Sequence, residues 1–298
     1  MGIRRVTSVV VVFSVAILLM AQTATAKQFR WKLKEGEKLT FEMKQTITQS
    51  IDAGGMKFEI PVTIGMWMSW TVKSADAEKY VLEQVIDRMV MNMKTPEMTL
   101  DFDSDQDQKL EGPAEQVAQT FRPLVGAKIT AEMNDRGEMS NVNIPDDALA
   151  GLQANPLVGQ MFKKEQLTEM MKANGATFPE ESIEKGHKWT VPMEMDAPPV
   201  GKMKTETSYT YAGEERADKA VLDKFNVDVR IEFSGGNAAM ASVKVTEQKT
   251  DGSLYFDNEK GRMVKSNVTT NMTLAISAGG QSINQKVKQV MTVTVAPA

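Results

Sequence analysis

Phe225-Asn226-Val227-Asp228-Val229-Arg230-Ile231-Glu232-Phe233 decides the fold. Every odd position is apolar and every even one polar, a period of two that only an extended strand turns into two chemically distinct faces. The pattern recurs at Ile283, Val287, Met291, Val293 and Val295, set against Ser282, Asn284, Lys286, Lys288, Thr292 and Thr294. Val264, Val268, Met272, Leu274 and Ile276 give a third long strand. Strands with one face on a core and one in water belong to antiparallel sheets. Turn signals separate them at Ala53-Gly54-Gly55, Ser234-Gly235-Gly236-Asn237, Asp251-Gly252 and Ala278-Gly279-Gly280, which implies up-and-down meanders.

Helical patterns are confined to the middle of the chain. Pro113 to Arg122 opens with proline at a first helical position and sets Val117 four before Phe121. Asp146 and Asp147 are placed to cap a helix carrying Leu149 and Leu152. From Pro156 to Asn174 the apolar residues fall in two groups that one ideal helix would point to different sides, so two short helices meeting near Lys163–Glu165 are expected, the second ended by Gly175.

A weak internal repeat is visible. Glu35-Gly36-Glu37-Lys38-Leu39-Thr40 parallels Lys185-Gly186-His187-Lys188-Trp189-Thr190, and Asn134 to Met139 parallels Asn258 to Met263. The chain then reads as a β-rich half over 27–144, a helical segment over 145–182 and a second β-rich half over 183–298. The expected fold is mainly β (α+β), with two related curved antiparallel sheets and short helices between and over them.

Residues 1–26 read as a signal peptide: Arg4 and Arg5, an apolar run from Val6 to Met20, then Ala24-Thr25-Ala26. The run is short of the roughly 20 residues that span a bilayer, and no later segment would span one, so an integral membrane protein is not expected. Cleavage near Ala26 would leave 272 of the 298 residues in the periplasm or outside the cell. Without the leader's two arginines, 33 basic residues face 39 acidic ones, a balance with no basic stripe for nucleic acid. Cysteine is absent, so disulfides and lipidation at the leader junction are excluded.

The search for chemistry returns mostly absences. His187 is the lone histidine, which leaves no histidine-based metal centre or triad. There is no G-x-S-x-G elbow and no phosphate-cradling loop, and nothing singles out a carboxylate pair for glycoside hydrolysis. Asp101, Asp103, Asp105 and Asp107 invite a calcium reading, but positions six and twelve of that loop are Gln106 and Gly112 instead of glycine and glutamate. No catalytic residue, metal or cofactor is assigned, and an enzyme is not expected.

Methionine is the unusual component, with 22 in the chain. Met66, Met68 and Trp70 share one strand face, Met89, Met91 and Met93 another, and Met193 and Met195 a third. Three readings compete: core filler, the adaptable wall of an apolar cavity, and a soft-metal site. Leu157 and Met161 in the helical segment would either lid such a cavity or simply cover the sheet.

Trp31 with Leu33 to Glu37 and Leu39-Thr40-Phe41, then Phe102-Asp103-Ser104-Asp105, Lys185 to Trp189, Tyr209 to Gly213, and Phe256-Asp257 with Gly261-Arg262 form a set of short motifs. The set resembles an uncharacterised family of exported bacterial β-rich proteins, itself similar in layout to the lipoprotein-carrier superfamily. That resemblance implies a curved antiparallel sheet around an apolar cavity lidded by short helices. The expected function is a non-enzymatic envelope protein holding a lipid or acyl chain, with Met66, Met68, Trp70, Met89, Met91, Met93, Leu157 and Met161 as cavity residues. The alternative is a structural or protein-interaction module of the envelope with an envelope protein as partner and no cavity.

Overall fold

The computed structural model describes residues 26–53, 56–95, 98–106, 109–154, 163–173, 176–198, 200–217, 220–235, 241–278 and 281–298. Its strands are β1 (Lys38–Ala53), β2 (Met56–Ala75), β3 (Lys79–Lys94), β4 (Thr99–Asp103), β5 (Lys128–Asn134) and β6 (Met139–Asn143). The remainder are β7 (Lys188–Asp196), β8 (Gly201–Ala217), β9 (Ala220–Gly235), β10 (Ala241–Asp257), β11 (Arg262–Ala278) and β12 (Gln281–Pro297). The helices are α1 (Gly112–Phe121), α2 (Asp146–Ala154) and α3 (Lys164–Ala173), with a 3-10 turn at Arg122–Leu124.

The expectation of two sheets is corrected: all strands join one 12-stranded antiparallel sheet in the order β6-β5-β3-β2-β1-β12-β11-β10-β9-β8-β7, with β4 added to β3. The last strand is the reason. β12 pairs with β11 along one edge, from Lys265↔Thr294 to Ala278↔Gln281, and with β1 along the other, from Leu39↔Pro297 to Asp52↔Asn284. Asp251-Gly252 is also no turn. Gly252 lies inside β10, where its missing side chain lets β9 approach: a Cβ there would stand 2.7 Å from the Val227 carbonyl oxygen.

The sheet curls. Laid flat, its two edge strands would lie roughly 50 Å apart at ~4.8 Å per strand. Yet the ten residues of α3 pack against both β6 and β7, and Gln166 of α3 donates to the Asp196 carbonyl of β7 at 3.0 Å. β6 and β7 do not pair with each other, so the roll stays open along that seam, with α3 across it.

One end of the roll is plugged. The extended segment before β1 alternates buried Phe29, Trp31 and Leu33 with more exposed Gln28, Lys32 and Lys34. Trp31 tilts against Trp70 of β2 at 6.3 Å and meets Phe256 of β10 edge-on at 5.7 Å. Phe29 packs on Tyr211, Phe225 and Phe178 at 5.1, 5.0 and 5.5 Å. Residues from both β-rich halves therefore meet in one aromatic cluster, burying the large apolar payload that stabilises the fold. Two polar side chains at the plug are hydrogen-bonded: Trp31 Nε1 donates to the Ala176 carbonyl at 3.0 Å and Tyr80 Oη to the Trp31 carbonyl at 2.7 Å.

The two repeat segments have the same local structure. Gly36 and Gly186 both turn with positive φ, 77° and 93°. Gly36 donates to the Val72 carbonyl and Gly186 to that of Tyr211, and each of those residues donates back to Glu37 and His187 respectively. The α1 and α2 expectations hold, α2 with Asp146 and Asp147 in its first turn where the helix dipole favours them. Of the two helices expected over 156–174, α3 is the second; the first lies outside the described residues, as does Gly175.

Candidate functional site

The register of the sheet assigns every strand position to one of two faces, because residues opposite one another across antiparallel strands share a face. One row runs Val62, Ile47, Gln289, Thr270 and Thr250; another runs Met66, Met43, Val293, Ser266 and Leu254. Following these rows round the roll, the inner face carries Ile51 and Ile47 on β1, Val287 and Met291 on β12, and Met272, Leu274 and Ile276 on β11. It continues with Val243 and Val245 on β10, Val229, Ile231 and Phe233 on β9, Met203 on β8, and Val191, Met193 and Met195 on β7. Its polar members are uncharged: Gln45, Gln49, Gln285, Gln289, Gln248, Thr250 and Thr270. Gln285 donates to Gln49 at 2.8 Å. On β1 and β7–β12, from Tyr209 and Val227 to the far ends of the strands, no Asp, Glu, Lys or Arg falls on this face among the described residues. The opposite face holds the charges, among them Lys44, Asp228, Arg230, Lys249, Lys286 and Lys288.

Burial along β9 changes with distance from the plug, while on β11 Thr270, Met272 and Leu274 stay buried. Phe225 and Val227 are buried, whereas Val229, Ile231 and Phe233, further along the same strand, are only half-buried while Asp228, Arg230 and Glu232 between them are exposed. β7 shows the same alternation throughout. Half-buried apolar side chains on a concave, charge-free wall are what an apolar ligand site requires.

The methionine stripes on β2 and β3 lie on the same face but in a filled part of it. Met89 and Met91 are buried with Leu100, Phe102, Ala114 and Ala118, and Met66 and Met93 pack against them under α1. Met68 packs on the aromatic core and Trp70 is part of it, its ring 4.3 Å from that of Phe41. Trp70 Nε1 has no hydrogen-bond partner among the described residues. Leu157 and Met161 lie outside the described residues. The structure thus brings Met66, Met89, Met91 and Met93 together, with Met68 and Trp70 in the neighbouring cluster. What strand-by-strand reading missed is the wall on β1, β12, β11, β9 and β7. The signal that could have found it is the lack of charge at every second position of those strands.

The sheet forks between β9 and β10. β9 and β10 pair only from Asp223↔Phe256 to Val227↔Gly252; residues 228–235 and 241–251 diverge beyond that rung. The Gln248 carboxamide bridges the gap, donating to the Val229 carbonyl at 2.5 Å and accepting from the Ile231 N–H at 3.0 Å, while Thr250 Oγ1 donates to Val229 at 2.9 Å. A side chain here stands in for a missing strand neighbour. The opening is a cavity of about 320 Å³ lined by Val229, Ile231, Val245 and Gln248 of the inner face and by Asp228, Arg230, Glu232 and Glu247 of the outer. A second hollow of about 450 Å³ adjoins it at Glu247 and Gln248, along Thr48, Ser50, Lys286, Lys288 and Lys249.

The titratable groups are engaged structurally. Arg88 chelates Asp103 with Nε and Nη2 at 3.0 and 2.6 Å and stacks over Trp67 at 4.8 Å. Its hydrogen bonds hold the Asp103 carboxyl below the usual range. Asn92 Nδ2 donates to Asp101. No group of three or more His, Asp or Glu side chains among the described residues is arranged to hold a metal ion. Lys27 pairs with Glu214 and Asp223; burial disfavours its charge, but the two carboxylates raise its pKa overall. Burial pushes the Tyr209 hydroxyl up to about 12. His187 stands half-exposed, 3.8 Å from Glu181 and beside the Trp189 ring.

The chain belongs to a family of unknown function, DUF6263, whose model matches residues 77–282. No curated protein matches it. Among solved structures it is similar to lipovitellin, at 8% identity and a TM-score of 0.44 over 89% of this chain and 25% of that one. The chain thus spans a quarter of the lipovitellin chain's length. It is also similar to the COG4313 outer membrane channel of Pseudomonas putida F1, at 8% identity and a TM-score of 0.23, covering 89% of this chain and 97% of that one. A DUF1329 family protein from Desulfovibrio piger ATCC 29098 shows 10% identity and a TM-score of 0.13, with 83% of each chain covered. No helix among the described residues is long and apolar enough to cross a membrane.

Proposed function

We propose that the protein is exported and acts, without catalysis, as a carrier of an apolar ligand such as an acyl chain, held against the inner face of the curled sheet. The observation that carries this reading is the charge-free inner wall, which beyond the aromatic plug stays half-buried on β1, β7, β9 and β12 while Thr270, Met272 and Leu274 of β11 between them are buried. An apolar wall left in contact with water is a standing cost of about 25 cal/mol per Å², and a bound chain would remove it. The ligand wall is placed on Ile47, Val287, Met291, Val229, Ile231 and Phe233. Met66, Met89, Met91 and Met93 contribute to the packed floor under α1, and Met68 to the aromatic core.

Native mass spectrometry of protein taken gently from its source tests this directly. A stoichiometric apolar adduct released on denaturation is expected. A clean apo mass would favour an interaction module. Titration with a fluorescent fatty acid gives the second arm. Val287→Asp and Phe233→Asp each place a charge on the wall away from the plug, and each should weaken binding at least tenfold with the far-UV circular dichroism unchanged. Folded variants that bind as tightly as the parent would sink the reading.

A further inference from the structure

We propose that the fork between β9 and β10 is the passage through which the tail of a single-chain amphiphile enters the roll, with Gln248 as the latch across it. This rests on the carrier reading above. Three observations converge on the fork. The gap is a cavity of about 320 Å³, at the lower end of the size of small-molecule sites, which suits one chain and excludes a bulky ligand. Its inner lining, Val229, Ile231 and Val245, is continuous with the uncharged wall, whereas Asp228, Arg230, Glu232 and Glu247 form its outer rim. A tail passing inward and a polar head left in water each meet matching chemistry.

The gap is also built in. Residues 228–235 of β9 face the longer run 241–251 of β10, and β10 departs from regular register with its other neighbour, β11, between Val245 and Glu247. Pairing of β9 with β10 stops at Val227↔Gly252. In the other half, β3 stands at the corresponding place. Its end nearer the plug pairs with β5, and beyond that β4 pairs with it from Val90↔Asp103 to Lys94↔Thr99, with α1 packed behind. That edge is filled by a strand, whereas the β9 edge is held by one carboxamide and one hydroxyl. Three hydrogen bonds, each of modest net strength, make a latch that thermal motion opens readily.

The absence of cysteine makes the test clean. Arg230→Cys with Thr246→Cys places two thiols on either side of the opening, and a bis-maleimide ties them together. Uptake of a fluorescent fatty acid is then followed by stopped flow before and after cross-linking. Cross-linking is expected to slow uptake at least tenfold, and to slow release from preloaded protein equally. Unchanged rates in a protein that still binds the probe would overturn the passage and leave the carrier reading standing, the ligand entering by the open end. Failure of the protein without the cross-link to bind the probe would overturn both. Gln248→Leu supplies an independent arm: it removes the bridge at similar volume and should accelerate both rates severalfold. Equal or slower exchange in that variant would overturn the latch.

Discussion

Trp31→Ala removes the ring that joins the two β-rich halves at the plug. Trp31 is 2% exposed and touches Trp70 from the first half and Phe256 from the second. Emptying such a site costs about 3–5 kcal/mol for a large aromatic side chain. The Ala176 carbonyl also loses the indole N–H, and an orphaned buried acceptor adds to the cost. The main chain's own bonds, to the Asp135 carbonyl at 2.6 Å and from Tyr80 at 2.7 Å, survive the substitution, so the loss reports the ring itself. We expect ~5 kcal/mol, a large share of the 5–15 kcal/mol that native domains possess. Trp31→Phe should lose less, about 2 kcal/mol, mainly through the unpaired carbonyl. Urea unfolding followed by far-UV circular dichroism and by the fluorescence of the remaining tryptophans measures both. The two probes should shift together, because both halves share one core. A loss under ~1 kcal/mol would refute the argument, as would dichroism and fluorescence transitions that separate.

Gly137→Ala should cost about 3 kcal/mol in a thermal melt: φ is 90°, and a Cβ would stand 2.3 Å from the Ala176 oxygen and 2.6 Å from Trp31 Nε1. Met66→Asp combined with Met68→Asp should lower Tm by about 10 °C or more, because both side chains pack into filled clusters and a charge there has no partner; an unchanged Tm would mean that neither cluster is filled around them. The Asp103 carboxyl is held low in the folded state by Arg88, so its stabilisation is present above about pH 4 and lost as acidification passes through the ordinary carboxylate range toward the depressed value. Asp103→Asn should flatten that acid limb of the stability–pH curve, and a parallel curve would remove the pair from the account.

Alternation in β9, β11 and β12 was legible from residue types alone, as were the likeness of the Glu35–Thr40 and Lys185–Thr190 segments and the starts of α1 and α2, since each depends on neighbours within a few positions. Asp251-Gly252 misled for a local reason. The dipeptide suits a turn, but Gly252 serves close approach between strands, which no local pattern records. The methionine stripes are one-faced, as strand periodicity implies. Which of them lie under α1 depends on where a segment some twenty residues further along folds back.

The sequence by itself determined that this is an antiparallel β protein whose long strands have one apolar face and one polar face, because strand periodicity is written in single residues. Only the tertiary structure decided that there is one sheet and not two, that it curls until α3 touches both edges, and that β9 and β10 part at Gly252. Those outcomes follow from pairings between residues as distant as Leu39 and Pro297. Such pairings are chosen by the register that buries the whole face at once.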